Sequence, residues 1–238
     1  MQKQKSVLVT GGGKGIGESI CRALSADGWF VYIHCNSSVA EAEALCEELG
    51  NSQVVVSDLS NPKSVDILSE VCKDVDAIVN NAGVALVDLF DRVTDADMRR
   101  LFEINLFTPM NIVRKILPEM IRKKGGSVVN ISSVFGESGG SCEVDYSVTK
   151  AALIGFTKAL SKEVGPAGIR VNCVCPGIID TDMNGNLSFD DIESLCDEIP
   201  LSRVGEPEDV ADVVAFLLSD KARYITGSVI DVNGGWQG

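Results

Sequence analysis

Nearly continuous apolar runs alternate with amphipathic stretches along this chain of 238 residues. The runs are SVLVT (6–10), WFVYIHC (29–35), QVVVS (53–57), DAIVN (76–80), SVVNIS (127–132), IRVNCVC (169–175) and SVIDV (228–232). Unbroken apolar character, rather than strict alternation, suits strands covered on both faces of a parallel sheet. Between them a 3.6-residue period predicts helices, the first from about Gly15 to Ala26 and the second from Ala40 to Leu49. This order predicts an α/β fold, a doubly wound Rossmann-type seven-stranded parallel sheet with helices on both faces, as one domain over residues 1–238. No linker, repeat or low-complexity segment interrupts it. The least regular stretch, Ile178 to Arg203, holds TDMNGN and a short acidic helix candidate, and is expected to form a mobile lid over a site.

Composition narrows the class. With 45% apolar and 23% charged residues, 23 Gly and 7 Pro, the chain reads as a compact enzyme-sized domain rather than a disordered, collagen-like or coiled-coil protein. Its net charge of −13 repels phosphate backbones and anionic lipid, so no nucleic acid and no membrane partner is expected. No apolar run approaches a membrane span, and MQKQKSVLVTGGG passes directly into a strand rather than an h-region, so the expected location is cytoplasmic. Eight cysteines form no C-x-x-C, and His34 is the only histidine, so the paired spacings of a metal site are absent and no metal is expected. A Ser-His-Asp hydrolase would need His34 as its base, and no G-x-S-x-G accompanies it.

The segment Thr10-Gly11-Gly12-Gly13-Lys14-Gly15-Ile16-Gly17 follows the first strand and opens a helix. Glycines there let backbone N–H groups and the helix dipole approach a pyrophosphate. The spacing is G-x-x-x-G-x-G. Together with Asn80-Asn81-Ala82-Gly83, Ser133, Tyr146-x-x-x-Lys150 and Pro176-Gly177, taken in that order, it resembles the short-chain dehydrogenase/reductase family over essentially the whole chain. Within that family AALIGFTKALSKEV, IIDTDM, IPLSRVGEPEDVADVVAFLLSD and YITGSVIDVNGG look most like the β-ketoacyl-acyl-carrier-protein reductases.

The resemblance implies a dinucleotide held by Gly11, Gly13, Lys14, Gly15, Ile16 and Gly17, with Asp58 and Leu59 at the adenine. It places Asn81, Ala82, Gly83, Tyr146, Lys150, Pro176, Gly177, Ile179 and Thr181 farther along the same cofactor. Asp58 also suits a helix N-cap. NAD-using dinucleotide proteins commonly carry a carboxylate about 20 residues past the glycines, where this chain has Asn36, Ser37 and Ser38. These neutral donors, with Lys14 nearby, suit a 2′-phosphate and indicate NADPH/NADP+; the alternative for Lys14 is a solvated loop lysine.

Tyr146 and Lys150 are four apart on a predicted helix and share a face. An ammonium and an oxidised nicotinamide would lower the phenol toward the working pH, making Tyr146 the general acid. Lys150 would lower that pKa and bond the nicotinamide ribose, and Ser133 would donate to the substrate carbonyl from the carboxyl edge of the sheet. Asn105 lies in the helical stretch 99–120 with Pro109 four residues on, so its carbonyl loses the usual N–H partner. In the family the asparagine at this position holds a water on a proton relay to the lysine.

The expected reaction is reduction of a ketone or acyl thioester to a secondary alcohol, with 3-oxoacyl-[acyl-carrier-protein] of fatty acid biosynthesis as the leading substrate. Another small carbonyl compound, such as a sugar, steroid or quinone, is the alternative, and a non-catalytic NADP(H)-binding regulator a third. AGVALVDLF lacks the Thr-Arg-Asp common in the carrier-protein reductases, and Ala167 stands where a docking arginine is often found. The stretch from Arg99 to Lys124 carries Arg99, Arg100, Arg114, Lys115, Arg122, Lys123 and Lys124 against Glu103 and Glu119. It reads either as a docking strip for an acidic carrier protein or as cations complementing a helix C-terminus. The family's usual assembly is a homotetramer.

Overall fold

The computed structural model describes residues 4–184 and 189–237. Seven strands form one parallel sheet in the order β3-β2-β1-β4-β5-β6-β7. They are β1 (Ser6–Val9), β2 (Phe30–Cys35), β3 (Ser52–Val56), β4 (Ala77–Asn80), β5 (Gly126–Ile131), β6 (Ile169–Pro176) and β7 (Val229–Val232). The helices are α1 (Gly15–Ala26), α2 (Val39–Leu49), α3 (Pro62–Val71), α4 (Asp95–Phe102), α5 (Thr108–Lys123), α6 (Phe135–Ser138), α7 (Val144–Val164), α8 (Phe189–Glu198) and α9 (Pro207–Leu218). Every predicted run lies on one of these strands, with ends shifted by a residue or two.

Alternate side chains of one strand enter opposite layers, which is why the runs are apolar throughout. Val7, Val9, Val31 and Ile33 pack with Ile20, Leu24, Val210, Val214 and Leu217 of α1 and α9. Leu8, Ile78 and Val128 pack with Leu68, Ile112, Ile116, Met120 and Val164 on the other face. Strand order reverses between β1 and β4, opening the crevice at which doubly wound sheets bind ligands.

Two expectations need refinement. The stretch 99–120 is not one helix: α4 ends at Phe102, a π-helical turn occupies Glu103–Phe107, and α5 follows. The irregularity expected from Pro109 is therefore present as a widened turn around Asn105. Asp58 is not a helix N-cap, because Asn61 caps α3 by accepting from the Lys63 N–H at 3.0 Å, while the Asp58 carboxylate accepts from the Ser60 N–H and hydroxyl. Within the lid candidate the short acidic helix is α8, and a 3₁₀ turn spans Asp182–Asn184. Residues 185–188 of that stretch lie outside the described residues. No helix among the described residues is long and apolar enough to cross a membrane.

Candidate active site

Loops at the carboxyl ends of β1 to β6 converge on the crevice. The turn after β1 needs its glycines: Gly11 and Gly15 adopt φ of 64° and 54°, and a Cβ at Gly17 would stand 2.0 Å from the Gly11 carbonyl oxygen. Lys14 is the N-cap of α1 and gives its first turn no side-chain bond, so the helix opens on donors aimed outward from the sheet. The Thr10 hydroxyl accepts from the Asn81 and Ala82 N–H groups, both at 3.0 Å, and donates to the Val79 carbonyl at 3.3 Å. Asn81 returns two bonds to the Thr10 and Gly11 carbonyls at 2.9 and 3.1 Å. One network thus locks Asn81 and Ala82 to the glycine turn. Asn36 and Ser37 are exposed after β2, beside Ser38, whose Oγ would lie 2.7 Å from a Cβ on Gly13. Leu59 is buried, its carbonyl accepting from the Thr108 hydroxyl at 2.8 Å, while Asp58 is exposed.

Lys14 is well exposed on the turn, and its Nζ pairs with the equally exposed Asp182 at 3.2 Å. Thr181 sits against the turn as well, its Cγ2 3.3 Å from a Cβ on Gly15. The segment after β6 therefore reaches the glycine turn, with Ile179 buried and Gly177 donating to the Val232 carbonyl at 3.0 Å. Pro176 closes β6 and accepts from the Val134 N–H at 2.9 Å, which fixes the loop that carries Ser133.

On the chemistry side Ser133 follows β5 and Tyr146 lies in the first turn of α7. Burial pushes Tyr146 up to about 12, with the Ser133 hydroxyl pulling the other way and the Glu143 carboxylate adding to the rise. The fall in phenol pKa expected from the neighbouring ammonium is thus not a property of the protein groups alone. Lys150 lies one turn on, its Nζ 5.5 Å from the Tyr146 ring centroid and donating to the Ile131 carbonyl at 2.9 Å. Burial lowers its ammonium to about 8. The Asn105 amide clamps Val84, accepting from its N–H and donating to its carbonyl, both at 2.9 Å, and lies 3.4 Å from the Thr149 hydroxyl. A Cβ on Gly83 would meet Asn105 Oδ1 and Lys150 Nζ, each at 3.4 Å, so Gly83, Asn105 and Lys150 form one cluster.

Sequence reasoning passed over Thr10, the Ile131 carbonyl and the buried chain Asn80 to Asn130 to Thr157, whose links measure 2.8 Å each. It also left no role for His34, which bonds the glycine turn. A cavity of about 540 Å³ lined by Ile178, Leu201, Arg203 and Asn233 holds neither Ser133 nor Tyr146 nor Lys150, so the chemistry lies elsewhere, in the open crevice. Glu137, Cys175 and Asp231 bring one ligand-type atom each within 4.8 Å of one another, without the spaced Cys/His pattern that would have revealed them. The neighbouring Asp231 carboxyl, with burial adding to it, pushes the Glu137 carboxyl up.

A family model described as Enoyl-(Acyl carrier protein) reductase matches residues 11–237. An uncharacterized oxidoreductase of Bacillus subtilis, YmfI, is 42% identical over 238 residues, covering 98% of both chains. The 3-oxoacyl-[acyl-carrier-protein] reductase FabG of Staphylococcus epidermidis is 39% identical over 239 residues, covering 97% of this chain and 98% of that one. Among solved structures, a blue fluorescent protein from a metagenomic library, in complex with NADPH, superposes with a TM-score of 0.92 at 34% identity over 98% of each chain.

Proposed function

Because the chain belongs to the short-chain dehydrogenase/reductase family, we propose that this NADP(H)-binding oxidoreductase reduces a ketone to a secondary alcohol. The leading substrate is a 3-oxoacyl thioester on acyl carrier protein. The observation that carries the reaction type is the Lys150 ammonium 5.5 Å from the Tyr146 ring, one helical turn apart on α7, with Ser133 following β5 at the same sheet edge.

The residues fit the cofactor. Uncapped donors at the start of α1, a turn of glycines that leaves the backbone bare, and the cation of Lys14 suit a pyrophosphate and a 2′-phosphate, and Asn36 and Ser37 bring no repelling carboxylate. Gly11, Gly13, Gly15, Ile16 and Gly17 would hold the phosphates, Lys14, Asn36 and Ser37 the 2′-phosphate, and Asp58 and Leu59 the adenine. Asn81 to Gly83, Pro176, Gly177, Ile179 and Thr181 would hold the nicotinamide end. The bound cofactor supplies a hydride to the substrate carbonyl carbon.

The chain's own groups manage the charge that develops on the carbonyl oxygen. Tyr146 and Ser133 donate hydrogen bonds to it, and Tyr146 gives up its proton. A phenol at about 12 is a reluctant acid, so the nearby ammonium matters: Lys150 stabilises the phenolate as it forms. The Lys150 Nζ has three N–H donors and spends one on Ile131, leaving the others for the tyrosine side of the site and the nicotinamide ribose. Asn105, held on a π-turn against Val84, stands beside Lys150, where it would hold the water that continues a proton relay from the lysine.

Carrier-protein docking is the finer part of the proposal, and the basic strip supports it less than its composition implied. Lys115 pairs with Asp66 at 2.6 Å, Arg122 with Glu119 at 2.7 Å, and Lys123 with Asp76 at 3.3 Å. A small carbonyl substrate is therefore the second reading, favoured by the missing Thr-Arg-Asp after Gly83. NADPH oxidation followed with acetoacetyl thioester on carrier protein, the free thioester, a simple ketone and a 2-enoyl thioester tests both. Turnover of the ketones but not the enoyl compound is expected, and turnover of the enoyl thioester alone would overturn the proposed reaction.

A further inference from the structure

The sole histidine of the chain, His34, is 2% exposed at the end of β2, yet both of its ring nitrogens are engaged. Nδ1 accepts from the Gly11 N–H at 3.2 Å, and Nε2 lies 3.0 Å from the Ser57 carbonyl oxygen. A carbonyl oxygen only accepts, so Nε2 must carry the proton and Nδ1 the lone pair; a single neutral tautomer satisfies both bonds. The backbone adds a third tie, the Gly12 N–H donating to the His34 carbonyl at 2.8 Å. One side chain therefore bridges the start of the glycine turn and the residue just before Asp58 and Leu59, elements that the proposed function assigns to the pyrophosphate and adenine ends of the cofactor.

We infer that His34 is a positioning residue for NADPH, a neutral strut that fixes the height of the Gly11 turn against the end of β3 and releases it when protonated. Protonation would set an N–H on Nδ1 against the Gly11 N–H, converting a bond into a repulsion between two donors and leaving a half-buried amide unpaired. Burial already disfavours the charged ring and holds its pKa below the usual 6.5. Ionisable groups on the adjoining elements are engaged elsewhere: Asp58 after β3 binds Ser60, Lys14 in the turn pairs with Asp182, and the Cys35 thiol beside it on β2 is pushed up by burial. The inference rests on the reading that the cofactor phosphates lie against residues 11–17.

The test measures the Kd for NADPH by quenching or cofactor fluorescence from pH 5 to 8 in the wild type, His34→Gln, His34→Leu and Lys14→Glu. Glutamine keeps a donor and an acceptor but does not titrate, so His34→Gln should bind within about threefold of wild type at pH 8 and then lack the wild type's extra weakening below pH 6. The 2′-phosphate itself titrates near ~6 and weakens binding in every variant alike, so the wild-type excess over His34→Gln is the signal. His34→Leu should bind about tenfold more weakly across the whole range, with the loss in KM for NADPH rather than kcat. Parallel pH profiles for wild type and His34→Gln would overturn the inference, as would tighter wild-type binding in acid, which would mean that the imidazolium attracts the phosphates. If His34→Leu does not fold, the glutamine profile still decides. Lys14→Glu should weaken NADPH at every pH; if it does not, the placement of the cofactor is at fault rather than the role of His34.

Discussion

Replacing Lys150 by methionine should abolish turnover and yet make the protein more stable. The lysine is 4% exposed, and burial lowers its ammonium from 10.5 to about 8. At pH 7 it remains protonated in both the folded and the unfolded chain, so the folded state carries the whole cost of burying the charge, about 3 kcal/mol for a displacement of that size. Methionine fills a similar volume and removes that cost, but it leaves the Ile131 carbonyl without its 2.9 Å donor, a loss of about 1–2 kcal/mol. The net expectation is a gain of about 1–2 kcal/mol, or roughly 2–8 °C in Tm for a chain of this length. The sign with pH follows from the direction of the shift. Between about 8 and 10.5 the folded lysine has lost its proton while the unfolded lysine keeps it, so wild-type stability recovers as pH rises through that window. The advantage of Lys150→Met should therefore be full below pH 8 and shrink toward pH 10. Thermal melts followed by circular dichroism at half-unit pH steps, with turnover measured alongside, decide the matter. A variant less stable than wild type at pH 7, or an advantage that does not change with pH, would show that the charge is not the dominant cost at this position.

Four further outcomes are expected. Thr10→Val leaves the Asn81 and Ala82 N–H groups without their acceptor and should cost about 2–4 kcal/mol by urea denaturation, whereas Thr10→Ser retains the bonds and most of the stability. Tyr146→Phe should remove nearly all turnover while the Kd for NADPH stays within about threefold, and activity within a factor of about ten of wild type would refute its role as the acid. Asn36→Asp should turn a preference for NADPH into one for NADH through repulsion of the 2′-phosphate, which the ratio of kcat/KM values for the two cofactors reads directly. Arg122→Glu with Lys124→Glu should lower kcat/KM for a carrier-bound thioester and spare a free one; equal effects on both would leave the strip no docking role.

The sheet was legible because strands covered on both faces leave an unambiguous apolar record, and Val7, Leu8 and Val9 stay apolar for two different layers. The glycine turn and the Tyr146/Lys150 pair were legible because their geometry is local, set by a positive φ in one case and by one helical turn in the other. What escaped depended on partners far away in sequence. His34 reads as part of an apolar run until Gly11 and Ser57, each 23 residues distant, close on its two nitrogens. Lys14 finds Asp182 168 residues on. The basic strip looked unbalanced because two of its neutralising carboxylates, Asp66 and Asp76, lie outside the segment that was counted. Pro109 announced an irregularity near Asn105, but its form as a π-turn also involves the amide clamp on Val84, which no local pattern encodes.

The two ends of the site are held by different means, and substitutions should separate along that line. At the cofactor end the functional atoms are backbone N–H groups, positioned by Thr10, Asn81 and His34 through bonds to a turn that tolerates little added bulk. Loosening those supports changes the shape of a binding surface, so the loss belongs in KM and in stability together. At the chemistry end the functional atoms are side chains whose acidities burial shifts, with Lys150 pushed down and Tyr146 pushed up. Removing the Lys150 ammonium relieves the fold while it stops the reaction, so stability and kcat should move in opposite directions there, whereas the Tyr146 phenol is neutral in the folded and the unfolded chain at pH 7 and carries no such cost. A substitution that lowers kcat and stability together at Lys150 would contradict this division, because it would make the ammonium a support of the fold rather than a group the fold holds under strain.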